Sequence, residues 1–317
     1  MKQKPWLKYL IAVLLIGSAG LITPAIFNQI SAVDSTQSSV LLAQRRSKYD
    51  QYMRQGYAAT RRRQYSRALR FFRLALGQRP GDRYARRAIA NVNRYQRRVS
   101  RYRKVARRGR PRRRRGAGTR GGQCIGLIPL VPTTKESCSD NNQGRGNSTK
   151  PSLFLTTANH PTFFFYIPQN SQEEKLVFEL EDEASGDVVY EVTFNPPQKS
   201  GIVSVSLPTT KAPLKLNTEY LWSLSKASNR PSDPRPEGLI KREKPNQDLA
   251  NKLKAAKPLD RVALYAENGY WENSLRTVAD LRRKSPQNEE INIEWGNLLG
   301  TVNLEEDIIN APLLSKR

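Results

Sequence analysis

The spacing of apolar residues changes twice along the chain and divides it into three regions. Between residues 45 and 105 apolar side chains recur every three or four positions, which is the period of an amphipathic helix. From residue 123 to residue 245 the period becomes two, which is typical of β-strands. The helical period returns in residues 246–317, where we expect helices at about 258–268, 271–284 and 288–301. The pattern predicts an α+β protein in which a β-rich domain is flanked by helices on both sides.

The β-rich domain contains six or seven short strands separated by segments rich in turn-forming residues. This density of strands and turns favours an antiparallel β-sandwich. Residues 216–220, LNTEY, are similar to the tyrosine corner of immunoglobulin and fibronectin III folds, and Trp222 follows as a core residue. We therefore expect an Ig/fibronectin III-like sandwich. The strands are expected within residues 161–168, 175–181, 188–194, 201–208, 216–226 and 237–243.

The first of these segments contains the consecutive aromatic residues Phe163 to Tyr166. They could form an exposed binding strip. Because successive side chains of a strand point to opposite faces, we expect half of them in the sandwich core and the others against a helix. His160, the only histidine, is a candidate acid–base group or pH-sensitive contact. Its place before Pro161 favours a turn residue at the entry of the strand.

The region 45–105 resembles a tetratricopeptide (TPR) repeat followed by a third helix. The offsets 0, 9, 12, 16, 19 and 24 of that repeat are met by Gly56, Tyr65, Ala68, Phe72, Ala75 and Pro80. In the C-terminal region, Gly269 placed at the turn glycine of the repeat brings Leu275 and Pro286 onto matching positions. One and a half repeats cannot bury their own apolar face. We expect the first hairpin to pack on the C-terminal helices or on another chain, and the C-terminal helices to pack on the sandwich or on the first hairpin.

The N-terminal region, residues 1–44, has the composition of an export signal. Three lysines precede a segment without charge, and residues 9–27 are mostly apolar. This length is close to the roughly 20 residues of a membrane-spanning helix, so a cleaved signal peptide and a signal anchor both remain open. Cleavage is expected near Ala43. We expect a protein of the periplasm or cell envelope, with an inner-membrane anchor at residues 9–27 as the alternative.

Positive charge is concentrated in one part of the chain. The net charge is +26, and residues 45–120 hold 28 lysines and arginines against two acidic residues. Such asymmetry is typical of a segment that faces a polyanion. Residues 106–122 are rich in Arg and Gly and are expected to be a disordered linker, acting as a polycation or as a spacer. The candidate polyanion contacts in it are Arg107, Arg108, Arg110, Arg112, Arg113, Arg114 and Arg115.

The core of this linker, residues 108–111 (RGRP), is also similar to an AT-hook. So short a motif arises easily in an arginine-rich stretch, and export would separate it from chromosomal DNA. Binding to nucleic acid is therefore not expected unless the protein stays in the cytoplasm.

Residues suited to common catalytic centres are scarce. One histidine and two cysteines leave almost no basis for a His/Cys metal cluster, and a serine or cysteine triad would have to use His160. We expect no enzyme activity, metal or cofactor. In an exported chain Cys124 and Cys138 are expected to form a disulfide, and two free thiols are the alternative. A hydrolase with paired carboxylates is a third and less favoured hypothesis, since the required separation cannot be read from sequence; the available acids are Glu179, Glu181, Asp182 and Glu183.

Several short motifs follow one another through residues 119–312. They are HPTF at 160–163, VY at 189–190, GIVS at 201–204, YLW at 220–222, GLIKR at 238–242 and ALYAENG at 263–269 with Trp271. Together they resemble the domain-of-unknown-function family numbered 928, exported proteins known mainly from cyanobacteria. The resemblance implies an envelope-associated protein and implies no reaction. Where the family would have a cysteine after the Trp222 strand, this chain has SLSKASNR, which leaves Cys124 and Cys138 as the pair if one forms.

The function expected from these features is that of a non-enzymatic exported scaffold or adaptor. Its partner would be an envelope protein or an anionic polymer, bound by the TPR-like helices and the sandwich. The alternative is a polyanion-binding protein whose Arg-rich segment 45–120 takes anionic lipid, acidic polysaccharide or, in the cytoplasm, nucleic acid. Membrane association through the N-terminal segment is compatible with both. The oligomeric state stays open.

Overall fold

The computed structural model describes residues 44, 46–106, 127–132, 153–169, 174–228, 235–302 and 304–316. In these residues the chain forms eight helices and nine strands, and the strands make two sheets. The predicted α+β class is confirmed. The predicted export segment, the Arg/Gly-rich linker with its seven candidate arginines, and Cys124 and Cys138 lie outside the described residues.

The helices form an N-terminal unit and a C-terminal group. The N-terminal unit consists of α1 (residues 46–61), α2 (Tyr65–Gln78) and α3 (Arg83–Ala106). The C-terminal helices are α4 (Gln247–Ala255), α5 (Pro258–Glu267), α6 (Trp271–Lys284), α7 (Glu289–Leu299) and α8 (Glu306–Asn310). The predicted bounds of α5, α6 and α7 are confirmed to within about two residues, whereas α4 and α8 were not predicted. Asn288 caps α7, because its side chain accepts a hydrogen bond from the Ile291 N–H.

The strands pair in two sheets whose side chains meet in one core. The four-stranded sheet has the order β1 (Ile128–Pro129), β3 (Thr162–Ile167), β6 (Gly201–Ser206), β9 (Leu313–Lys316). The five-stranded sheet has the order β2 (Leu153–Thr156), β8 (Glu237–Arg242), β7 (Glu219–Lys226), β4 (Leu176–Asp182), β5 (Val188–Phe194). Most neighbours are antiparallel, but β2 runs parallel to β8 and β9 runs parallel to β6. The predicted antiparallel arrangement is therefore confirmed for most strand pairs and is wrong for these two edge strands.

The aromatic segment of β3 is divided between the two sides of its sheet. The rings of Phe163 and Phe165 lie in the core, with centroids 6.1 and 5.7 Å from that of Trp222. Phe164 faces the other way, where the guanidinium of Arg283 in α6 lies 5.9 Å from its ring. Two rings thus lie in the sandwich core and one lies against a helix, and all three are buried. The predicted division of these three rings is confirmed.

Two loop contacts near the sheets bear on sequence predictions. The hydroxyl of Tyr220 accepts a hydrogen bond from the Lys215 N–H, five residues earlier in the chain, at 2.9 Å. The Nε2 of His160 lies 3.0 Å from the carbonyl oxygen of Lys211, so the ring can donate to it. His160 is therefore held by backbone at the entry of β3, as predicted.

The core of the N-terminal unit is built from the residues of the repeat-like spacing. Ala68, Phe72 and Ala75 have no exposed surface, and Tyr65 is 7% exposed. Gly56 lies inside α1 against the Phe72 ring, where a Cβ would come within 2.5 Å of the ring. This close approach explains why the position holds glycine. Pro80 is exposed in the turn between α2 and α3.

The C-terminal residues assigned to the same spacing have different surroundings. Gly269 lies in the turn between α5 and α6 with φ of 87°, a left-handed conformation that favours glycine. It is thus a turn residue, whereas Gly56 is a helix residue in close contact with a ring. Leu275 is buried in α6, and Pro286 is exposed just after it.

The C-terminal helices lie between the sandwich and the N-terminal unit. Helix α6 packs on β2 and β3, while α3 packs on α5 and α7. Tyr102 of α3 joins the core of the sandwich and C-terminal helices, and Ile293 of α7 joins the core of the N-terminal unit. The sequence left two packing partners open for the first hairpin, the C-terminal helices or another chain. In the structure the hairpin packs on the C-terminal helices of its own chain.

Candidate binding surface and cleft of the N-terminal helices

One side of the N-terminal unit is attached to the C-terminal helices by ion pairs. Arg94, Arg98 and Arg101 follow each other along α3 at helical spacing, so they share one side of the helix. Arg94 pairs with Glu290 at 3.1 Å and Arg101 pairs with Glu267 at 3.2 Å, both at the solvent-accessible margin of the contact. Burial raises the pKa of Glu267, and the nearby arginines oppose that rise.

Arg98 forms the buried centre of this contact. Its guanidinium lies 3.1 Å from a carboxylate oxygen of Glu294 and 2.7 Å from one of Asp260. The side chains of Arg98 and Glu294 are 8% and 1% exposed. The Tyr102 hydroxyl donates a hydrogen bond to the second oxygen of Glu294. The Glu294 carboxylate is therefore held by a cation and a hydroxyl, as a buried charge requires.

The outward side of α2 has the opposite character. Arg67, Arg70 and Arg73 are exposed and lie at intervals of three residues, so they share one side of the helix; we call these three residues the cationic face. Among the described residues, no carboxylate lies within ion-pair distance of any of them. Arg67 stacks over the ring of Phe71 at 5.7 Å, and Leu74 next to the face is 40% exposed. This surface offers fixed positive charge together with apolar contact.

A cleft of about 660 Å³ lies where α2 begins, beside the second half of α3 and the end of α7. Asn297 is 1% exposed and lines the cleft. Its Oδ1 accepts a hydrogen bond from the Tyr65 hydroxyl, and its Nδ2 has no hydrogen-bond partner among the described residues. Burial raises the pKa of Tyr65, which keeps that hydroxyl a donor. The other lining residues are Arg63, Ser66, Gln96, Val99, Ser100, Arg103, Gly296 and Gly300.

The outer face of the five-stranded sheet carries a group of acids. Strand pairing places Glu179 between Glu191 and Ser223, and Glu181 follows two residues along β4. A hydrogen bond with Glu181, together with partial burial, raises the pKa of Glu179 to about 7. Of the four acids considered for a hydrolase, the structure thus brings Glu179 and Glu181 together. Asp182 instead binds backbone N–H groups of the following turn, and Glu183 is exposed.

The raised pKa of Glu179 predicts a pH dependence of stability. Because its folded pKa lies above the ordinary value of 4.5, its contribution is full below that value and is lost as the pH rises through about 7. The melting temperature of the native chain should fall across this range by more than that of Glu179→Gln, measured by calorimetry. Glu183→Gln, which removes an exposed acid from the next turn, should keep the native dependence. If the melting temperature of Glu179→Gln and that of Glu183→Gln fell equally with pH, the raised pKa of Glu179 would be contradicted.

The start of α6 contains a buried carboxylate that sequence reasoning missed. Glu272 is 2% exposed, and its two oxygens accept hydrogen bonds from the Thr156 hydroxyl at 2.6 Å and the Thr162 N–H at 3.0 Å. Arg276, one turn along α6, lies 3.3 Å away. Burial raises the pKa of Glu272, and Arg276 and the hydrogen bonds oppose that rise. This group ties α6 to the ends of β2 and β3, and its only sequence signal is a Glu directly after the Trp271 that opens the helix.

In the part of the chain that the structure describes, no three His, Cys, Asp or Glu side chains are grouped so that they could hold a metal ion. No helix in those same residues has the length and apolar character needed to cross a membrane.

Comparison with known proteins identifies the larger part of the chain. The family model described as Domain of Unknown Function (DUF928) matches residues 112–313, which hold the β-rich domain and all five C-terminal helices. No curated protein and no solved structure matches the chain significantly. Helices α1–α3 lie before the matched region, so the cationic face is attached to the family domain and is not part of the match. Because the match covers more than half of the chain, the protein belongs to the DUF928 family.

Proposed function

We propose that the protein is a non-enzymatic scaffold or adaptor that binds an acidic partner through its N-terminal helices. The observation that carries this proposal is that some arginines of the N-terminal helices have acidic partners and others have none. Arg94, Arg98 and Arg101 of α3 are neutralised by acids of the C-terminal helices. Arg67, Arg70 and Arg73 of α2, in contrast, have no acidic partner among the described residues. Unneutralised like charges at close spacing destabilise a fold, so an external anion that offsets them gains affinity.

Details of the fold support the domain types on which this proposal rests. The contact of Gly56 with Phe72, and the buried Ala68 and Ala75, support a TPR-like packing of α1 and α2. The order β8-β7-β4-β5 in one sheet and β1-β3-β6 in the other supports an immunoglobulin-like sandwich, in which G-F-C-C′ faces A-B-E. The hydrogen bond of Tyr220 supports the same assignment. Both domain types serve widely as binding modules.

The proposal includes the compartment in which the protein acts, which is the periplasm or cell envelope. The uncharged segment of residues 9–27 supports export, with either cleavage near Ala43 or retention as an anchor in the inner membrane. The partner would then be an envelope protein or polymer, with nucleic acid excluded by compartment. A disulfide between Cys124 and Cys138 is proposed for the exported chain.

A second candidate function, polyanion binding, is favoured by the same cationic face. Here the ligand would be the acidic polymer itself, for instance an acidic polysaccharide or an anionic lipid surface. Such ligands bind mainly through their charge and need little shape complementarity, and their binding depends steeply on salt.

One experiment tests both candidates. The purified full chain is titrated with a glutamate-rich peptide, with alginate and with phosphatidylglycerol vesicles, at about 50 and about 200 mM salt. We expect Arg67→Gln/Arg70→Gln/Arg73→Gln to weaken binding at low salt by on the order of tenfold, and to flatten its salt dependence. The control changes Lys175, Lys199 and Lys211, three exposed lysines of the β-rich domain, to Gln and removes the same charge.

The outcomes separate the candidates. Preference for the peptide supports the adaptor, while preference for alginate or vesicles supports polyanion binding. Absence of binding by all three probes at low salt, or equal weakening by the two triple variants, would overturn both.

A further inference from the structure

The cleft beside α2 contains a concentration of hydrogen-bond donors without acceptors. The clearest is the Nδ2 of Asn297, which is buried and unpaired among the described residues. A buried polar group without a partner is rare in a folded protein, because each one carries a desolvation penalty. A donor held in this way at the wall of a cleft is typical of a site that a ligand completes.

The start of α2 adds a second, independent donor set. Gln64 at the N-cap provides no side-chain hydrogen bond to the helix, and the first turn contains no acidic residue. The N–H groups of Ser66 and Arg67 also have no backbone acceptor among the described residues. The start of a 14-residue helix with free N–H groups carries partial positive charge and attracts anions.

Arginines fix the charge of the cleft. Arg63 has φ of 56° and is paired with Glu306, and its guanidinium lies so close to Gly296 that a Cβ there would overlap it. Arg103 of α3 also lines the cleft and has no carboxylate within ion-pair distance among the described residues. The glycine of α7 thus makes room for one cation at the wall, and the second remains available to a ligand.

The remaining wall is neutral and contains both polar side chains and Val99, and the cleft exceeds the size of a single ion. Gln96, Ser66 and Ser100 present amide and hydroxyl groups that have no partner among the described residues. A volume of about 660 Å³ lies in the range of small-molecule sites. Such walls suit hydroxyl groups that both donate and accept hydrogen bonds.

We infer that this cleft binds a small hydroxylated oxyanion, a sugar phosphate or a sugar acid, with its anionic group at the start of α2 beside Asn297. The Nδ2 of Asn297 and the free N–H groups of α2 donate to the anionic oxygens. Arg103 supplies charge, and the serines and Gln96 hold the hydroxyl groups. Because α7 belongs to the family domain and α2 and α3 precede it, the bound molecule also bridges the two parts of the chain.

The test is calorimetric titration of the full chain with glucose 6-phosphate, glucuronate, inorganic phosphate and glucose. We expect saturable binding of one molecule of glucose 6-phosphate or glucuronate per chain, weaker binding of phosphate and none of glucose. Preference between the first two probes identifies phosphate or carboxylate as the anionic group.

Ser66→Asp distinguishes the cleft from the general positive charge of the helices. Ser66 is exposed, and an aspartate there places an internal carboxylate at the start of α2. We expect it to weaken binding by about tenfold or more while the melting temperature stays the same or rises. The matched variant Ser47→Asp adds the same charge to exposed α1 and should bind as the native chain does. Arg103→Gln should also weaken binding, whereas Arg97→Gln should not.

Two results would overturn the inference. One is equal weakening by Ser66→Asp and Ser47→Asp, which would assign the binding to nonspecific charge. The other is the absence of saturable heat with both sugar anions.

Discussion

Replacing Arg98 by methionine should remove about 3–5 kcal/mol from the free energy of unfolding. Arg98 is the only cation within ion-pair distance of the buried Glu294 among the described residues. Methionine keeps the helix propensity and most of the volume, so the loss reports the charge that is left unpaired. Urea denaturation measures it as a lower midpoint at unchanged slope.

The neighbouring Arg97 provides the matched control. It is exposed and has no acidic partner among the described residues, so Arg97→Met should change stability by no more than about 0.5 kcal/mol. The same substitution one position along the same helix then separates loss of the buried pair from loss of one positive charge. Similar losses in the two variants would show that the contact of α3 with α7 does not depend on this pair.

A triple variant tests whether the penalty comes from the stranded carboxylate. Arg98→Met combined with Glu294→Leu and Tyr102→Phe removes the three buried members of the group and leaves apolar side chains of similar size; Asp260, the remaining partner of Arg98, is half-exposed. Buried ionic groups replaced in this way are often neutral or stabilising. We expect the triple variant to recover most of the loss seen with Arg98→Met. A further loss would mean that the packing of α3 on α7 fails without polar contacts.

The local spacing of apolar residues predicted those elements whose buried side can be recognised from a few consecutive residues. Helix α6 and the strands β4 and β5 were predicted at their observed positions, because each presents one clear apolar side. Strands β2 and β9 were missed. Both are only four residues long, and each pairs in parallel with a strand distant in sequence, so no local turn marks them. Their direction depends on the whole topology, which periodicity does not report.

The candidate surface was predictable as a charge excess but not as a set of contacts. The arginines of α3 and the acids Glu290 and Glu294 of α7 each recur at helical spacing, and that complementary spacing was the signal for their pairing. Which arginines are neutralised depends on how α3 crosses α7, which only the packing defines. The cleft was out of reach for the same reason, since α7 closes it from a distant part of the chain: Asn297 lies 232 residues after Tyr65.

Replacing Glu272 by alanine should lower the free energy of unfolding by about 2–4 kcal/mol. The change leaves a cavity at the junction of α6 with the sheets and strands the buried N–H of Thr162 without its acceptor. The Thr156 hydroxyl loses its shorter hydrogen bond and keeps only the one of 3.3 Å to the Oδ1 of Asn273. Glu272→Gln is the control, because it keeps the volume and one carbonyl oxygen and should therefore retain more stability than the alanine variant.

The pH dependence of the stability should show that the folded chain is less stable when Glu272 is ionised than when it is protonated. Burial raises the pKa of Glu272 above its ordinary value of 4.5, so the folded chain holds this proton where the unfolded chain releases it. Its contribution is therefore full below 4.5 and is lost as the pH rises through the higher folded value. Glutamine does not titrate, so the stability advantage of the native chain over Glu272→Gln should shrink with rising pH. Titration of Glu179 is common to both chains and cancels in this difference. An advantage that stays constant from about pH 4 to about pH 8 would show that Glu272 titrates alike in the folded and unfolded chains.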